Sequence, residues 1–177
     1  LLCDRIDDLT YDVESAEHSI RSEINPEWRE EELRSKIAAW LAAQSRGRYS
    51  ESQESVVPGE KRTDIRLHAP TLPSLTIELK WADRWTLEEL KERLRNQLCG
   101  QYLRDTANAY GVLLLVLGNR RARWHTNTEI TRSAAFKQLV SALDTSATEL
   151  RSEFPHLRKL AVFGIDPGFS VRSSKPH

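Results

Sequence analysis

Apolar residues recur along this chain in two rhythms, every three to four residues and every second residue, and the changes of rhythm mark the elements. Leu33, Ile37, Trp40 and Leu41 repeat at helical spacing. Asn25 reads as the N-cap of that helix with Pro26 at its first position, and Gly47 supplies a left-handed stop just beyond an end near 45. Counting back at the same period puts Glu30, rather than Glu31 or Glu32, near the centre of the buried stripe. Three short strands are expected next, over 54–57, 63–68 and 75–81, separated by Pro- and Gly-containing turns. Loops this short join antiparallel neighbours, so the three form a meander.

Thr86 and Glu89 frame a capping box for a second helix, which runs to about 104 on the stripe Leu87, Leu90, Leu94 and Leu98. The continuous apolar run GVLLLVL over 111–117 suits a strand buried on both faces. Phe136, Leu139, Val140, Leu143, Ala147 and Leu150 define a third helix, and 160–165 a last strand. Strand, helix and strand at this spacing form a crossover with parallel strands. The predicted order is α-β-β-β-α-β-α-β, an α/β fold with a mixed central sheet flanked by helices. Residues 1–24 are polar and weakly patterned, with a short helix around 13–20, and read as a lead-in from a preceding domain; 25–177 form the globular domain.

At 177 residues, 39% apolar and 29% charged, the chain has enough material for one core and too much apolar content for disorder. No stretch approaches the ~18 apolar residues of a membrane-spanning helix. Two cysteines make no disulfide framework, which points to a reducing, cytoplasmic setting, and the lack of any methionine suggests a piece of a larger polypeptide. Zero net charge disfavours a generic cationic binder of nucleic acid. Positive charge is nevertheless concentrated at Arg120, Arg121 and Arg123, which suit phosphate contacts, with a solvated loop as the alternative.

Candidate chemistry lies in the meander. Side chains alternate across a strand, so Glu78 and Lys80 share one face while Ile77, Leu79 and Trp81 take the core face. Asp64 and Arg66 alternate likewise with Ile65 and Leu67, and a hairpin brings Asp64 towards Glu78. Two adjacent carboxylates repel unless a cation offsets them, and Mg²⁺ needs only a few oxygen ligands because it keeps waters. Lys80 beside such an ion would orient or deprotonate the attacking water and stabilise charge at phosphorus, chemistry that fits phosphodiester hydrolysis. The competing interpretation is a solvated Glu-x-Lys ion pair worth about 0–1 kcal/mol.

The elements together with Lys61, Arg62, Thr63, Asp64 and Ile65, then Ile77, Glu78, Leu79 and Lys80, then Arg95, Asn96, Gln97, Leu98, Gln101, Tyr102 and Leu103, resemble the PD-(D/E)XK nuclease superfamily. The resemblance implies a restriction-endonuclease-like core, α-β-β-β-α-β, with an appended α-β. It implies Asp64, Glu78 and the Leu79 carbonyl as ligands of Mg²⁺ or Mn²⁺, and Lys80 as the catalytic lysine. Glu30 would complete the metal site in some branches, and Gln97 would fix the lysine or the attacking water in others. Thr63 stands where the superfamily's name has proline. DNA is the substrate that the resemblance implies, within a larger bacterial defence-type protein and in an oligomer where both strands are cut. A catalytically inactive nuclease-fold module that binds nucleic acid or protein is the alternative.

Other residues carry less. His18, His68, His125, His156 and His177 show no zinc spacing, and Cys99 on its helix reads as a small buried hydrophobe. Trp81 reads as core; Trp85 and Trp124, in loops, either stack on bases or cover core edges.

Overall fold

The computed structural model describes residues 3–15, 20–53, 56–57, 61–62, 64–70, 72–104, 108–124 and 130–171. Helices α1 (Asp4–Ser15) and α2 (Glu30–Gln44) precede β1 (Ser50–Gln53), a small hairpin of β2 (Val56–Val57) and β3 (Lys61–Arg62), β4 (Ile65–Ala69) and β5 (Leu72–Trp81). Then come α3 (Leu87–Glu92), which continues as a π-helix over Arg93–Tyr102, β6 (Tyr110–Val116), α4 (Arg132–Glu153) and β7 (Lys159–Ile165). The main sheet has five strands in the order β1-β4-β5-β6-β7. β1, β4 and β5 run antiparallel, and β5, β6 and β7 run parallel, as the meander and crossover patterns predict.

Both faces of the sheet are covered, so every strand near the centre must alternate between two cores. Ile77, Leu79 and Trp81 of β5 and Val112, Leu114 and Val116 of β6 pack with Ile6, Leu9 and Val13 of α1 and Leu33, Ile37 and Leu41 of α2. Leu113 and Leu115 point the other way, to Leu90, Leu94, Leu98 and Tyr102 and to Phe136, Leu139 and Leu143 of α4. The uninterrupted apolar run of β6 is the sequence signature of this position.

Several boundaries differ from expectation. The weakly patterned lead-in carries α1, whose Ile6, Leu9 and Val13 make a sparse but regular stripe buried in the first core. The helix predicted near 13–20 therefore lies earlier; residues 16–19 fall outside the described ones. Asn25 and Pro26 do not open α2. The Asn25 side chain accepts from the Glu27 N–H (2.9 Å) and its carbonyl from the Trp28 N–H (3.0 Å), a turn that delays the helix to Glu30. Gly47 is left-handed as expected, with φ +72°. The strand expected over 54–57 is present at Val56–Val57 but pairs with β3 in the small hairpin, and the antiparallel partner of β4 in the main sheet is β1; Glu54 and Ser55 fall outside the described residues. Thr86 and Glu89 do form the capping box, the Glu89 N–H donating to Thr86 Oγ1 at 3.2 Å and the Thr86 N–H to Glu89 Oε2 at 2.7 Å. No helix among the described residues is long and apolar enough to cross a membrane.

Candidate active site

Asp64 stands one residue before β4, whose Ile65 pairs with Ile77 of β5, so it lies across from Glu78. Its Oδ2 accepts the Leu79 N–H at 2.8 Å, a bond that ties the carboxylate to the strand carrying the other candidate groups. Arg34 Nη1 sits 3.4 Å from its Oδ1. Arg34 follows Glu30 by four residues in α2, so both present to the same side of the helix.

Four oxygens converge on the Lys80 ammonium. Its Nζ lies 2.7 Å from Glu78 Oε1, 2.9 Å from the Leu79 carbonyl, 3.2 Å from Glu30 Oε2 and 3.6 Å from Asp64 Oδ2. They come from α2, from the residue before β4 and from β5. Glu78 is fully enclosed, whereas the Asp64 and Glu30 side chains are 20% and 31% exposed, so the cluster opens towards Asp64 and Glu30. Of the three glutamates that open α2, Glu30 alone is half-buried, on the inward side that its spacing suggested, and its Oε1 accepts the Trp85 indole N–H at 3.2 Å.

Electrostatics separates the two buried groups. Burial pushes the Glu78 carboxyl up to about 8, Lys80 opposes this, and Asp64 adds to it. For Lys80, burial acts to lower the pKa, but the Glu78, Asp64 and Glu30 carboxylates together outweigh it and hold the ammonium above its ordinary value. The 2.7 Å contact lacks hydrogen-bond geometry, and neither Glu78 oxygen receives a hydrogen bond among the described residues. Among the described residues three carboxylates are ion-paired with two cations, Lys80 and Arg34, and a proton on Glu78 or another cation would relieve the remaining negative charge.

These donors fit a hard divalent ion: all are oxygens, two carboxylates and a carbonyl lie close together, and the Glu78 oxygens are buried and unsatisfied. Among the described residues no group of three or more His, Cys, Asp or Glu side chains is arranged as a metal cage. A cation here would complete its shell with water, the habit of Mg²⁺ rather than of zinc.

The chain matches no protein-family model and no curated protein.

The remaining candidates are placed around this cluster. Gln97, on the π-helical turn, donates to the Tyr102 hydroxyl at 2.6 Å and accepts from Arg93 at 3.0 Å. Tyr102 in turn feels the cluster. Burial raises its pKa first, then the Glu78 charge. Gln97 is thus engaged by Arg93 and Tyr102, not by Lys80. A bond between residues five apart follows from π-helical winding and is invisible to α-helical periodicity. Arg120, Arg121 and Arg123 are exposed; the Arg120 N–H donates to Asp83 at 2.6 Å, and Arg123 donates to Glu89 at 2.8 Å and to the Arg84 carbonyl at 3.2 Å. Trp124 covers a core edge, its indole N–H 2.9 Å from the Ala82 carbonyl. Cys99 is buried and its thiol pushed up to about 12, chiefly by burial, so it is inert as a nucleophile at neutral pH. Thr63, His18, His125 and His177 fall outside the described residues. Sequence reasoning missed Arg34, which its i+4 relation to Glu30 signals, and the role of Trp85 as a hydrogen-bond donor to Glu30.

Proposed function

We propose that this chain is a metal-dependent nuclease with a restriction-endonuclease-like core, acting on phosphodiester bonds, with DNA as the substrate that the superfamily resemblance implies. One observation carries the reading: oxygens from Glu30, Asp64, Glu78 and Leu79, drawn from separate elements, meet at a single cationic point. Nothing in sheet packing requires this, and burying a carboxylate without hydrogen bonds costs several kcal/mol by order of magnitude unless charge compensates it. Arrangements that a fold retains at such expense are candidates for function.

Asp64, Glu78 and the Leu79 carbonyl would hold Mg²⁺ or Mn²⁺, with Glu30 reaching the site from the first turn of α2. Bound there, the ion would polarise a phosphoryl oxygen and lower the pKa of coordinated water. Asp64 is kept in position by the Leu79 N–H and by Arg34. Lys80, held charged by its neighbours, orients the attacking water and stabilises negative charge developing at phosphorus; its raised pKa makes it a donor rather than a base. Arg120 and Arg121 offer exposed guanidinium groups to the phosphate backbone, and Gln97, held by Tyr102, would act through that tyrosine.

Incubating the chain with single-stranded and duplex DNA and Mg²⁺ or Mn²⁺ is expected to give cleavage that EDTA stops. Lys80→Ala is expected to lower the rate by about 10²–10³, the loss typical of a charge-stabilising donor, while leaving the circular-dichroism spectrum unchanged. Undiminished cleavage by the variant would remove Lys80 from the mechanism. The ion pairing of Lys80 with the cluster also suits an inactive nuclease-fold module, and absence of metal-dependent cleavage of either DNA or RNA would favour that reading.

A further inference from the structure

An open polar groove of about 340 Å³ borders the carboxylate cluster, lined by Trp85, Arg93, Asn96, Gln97 and Gln101 and by the carboxylates Glu89 and Glu92. Trp85 connects the two. Its indole N–H bonds one oxygen of Glu30 at 3.2 Å, and the other oxygen of Glu30 faces Lys80 at 3.2 Å. The groove is therefore one side chain away from the converging oxygens.

Its walls have a particular chemistry. The Arg93 guanidinium lies over the Trp85 ring, 4.9 Å from its centroid, and Arg93 is exposed. A guanidinium stacked on an indole is a flat platform that accepts a further planar π-system. Gln97 is engaged by Arg93 and Tyr102 and forms a wall, whereas Asn96 and Gln101 each present an amide donor and an acceptor, the groups that read a base edge. Glu89 and Glu92 oppose entry of a phosphate, so a nucleotide would enter base first with its phosphate left outside. The volume lies at the small end of ligand pockets, about 300–1,000 Å³, and suits one nucleoside rather than a duplex.

We propose that this groove holds one unpaired nucleobase, stacked on the Trp85–Arg93 pair beside the bond to be cut, so that the substrate is single-stranded, or has a base splayed out, at that point. A paired base is already stacked on both faces and offers only its edges; a face is available only from an unpaired one. Its place beside the scissile bond rests on the nuclease reading, whereas the base site itself does not.

The test is fluorescence anisotropy with the whole chain in EDTA, where no metal-dependent cutting occurs, using labelled strands of about 12 nucleotides, a length within the usual site size. An intact single strand is expected to bind about five- to 150-fold tighter than the same strand made abasic, the range of one base–aromatic stack. It is also expected to bind tighter than the duplex. Trp85→Ala should erase the difference between intact and abasic strands, and Trp85→Phe, which keeps a ring but not the N–H bonded to Glu30, should retain it. Gln101→Ala, on the outer turn, provides a variant that does not disturb Trp85 and is expected to narrow the difference. Equal binding of intact and abasic strands by the wild type, or a folded Trp85→Ala protein that still discriminates, would overturn the proposal. Cleavage without base-dependent binding sinks the groove and spares the nuclease; base-dependent binding without cleavage in any metal supports the groove and sinks the nuclease.

Discussion

Glu78 and Lys80 are separated by one residue in β5, yet burial and neighbours push them towards different needs. Burial pushes the Glu78 carboxyl up to about 8 in the folded chain, well above an exposed glutamate, and Asp64 adds to this against the opposing Lys80. A folded pKa raised above the unfolded one means that the ionised carboxylate is penalised in the fold. The penalty is absent below the unfolded value, grows as pH climbs towards 8, and then stays constant. Glu78→Gln removes it. In EDTA the variant is expected to melt about 2–8 °C higher than the wild type at pH 9, from about 1–2 kcal/mol of relieved burial, and to differ little at pH 5. A lower melting temperature at pH 9 would mean that the Lys80 contact outweighs the burial. Lys80 shows the opposite balance: three carboxylates keep it charged, so it serves as a fixed positive charge.

The element that most affects the surroundings of the site is the second long helix, which begins at the Thr86–Glu89 box and changes winding at Arg93. The box sets where the helix starts, and hence where Trp85 stands against Glu30. Thr86→Ala is expected to cost about 1 kcal/mol, read as a fall of about 2–4 °C in thermal melting. A variant as stable as the wild type would assign the start of the helix to packing of Leu90 and Leu94 instead. The stripe Leu87, Leu90, Leu94 and Leu98 fits the helical period and gave no sign of the π turn, whose evidence is the Leu103 N–H bonding the Leu98 carbonyl at 2.9 Å, five residues back. Gln97 and Tyr102 meet through that winding.

In the molecule as a whole, α1 packs in the same core as α2 and the sheet. Leu9 is completely buried there with Ile6 and Val13, although its helix reads as a polar stretch. Leu9→Ala is expected to cost about 2–5 kcal/mol in urea unfolding, as for other fully buried leucines. A change under ~1 kcal/mol, the size of a typical surface substitution effect, would show that α1 is docked without contributing to the fold. The two-sided cover of the sheet also explains the burial of Glu78: on a sheet with one wet face, the alternation that puts it opposite Leu79 would have left it in water.

Local pattern was enough for much of this. Alternation in β5 put Glu78 and Lys80 on one side, the short loops made β4 and β5 antiparallel, the run in β6 marked a central strand, and Thr86 with Glu89 announced a helix start, because each depends on neighbours within a few residues. Other features depended on partners far along the chain. Glu30 lies fifty residues from Lys80, and its approach follows from how α2 docks after the Asn25 turn. The depth of burial that separates the Glu78 and Lys80 equilibria, the packing of α1, and the place of Trp85 between the carboxylates and the groove all arise from long-range contacts, whose energies no local spacing encodes.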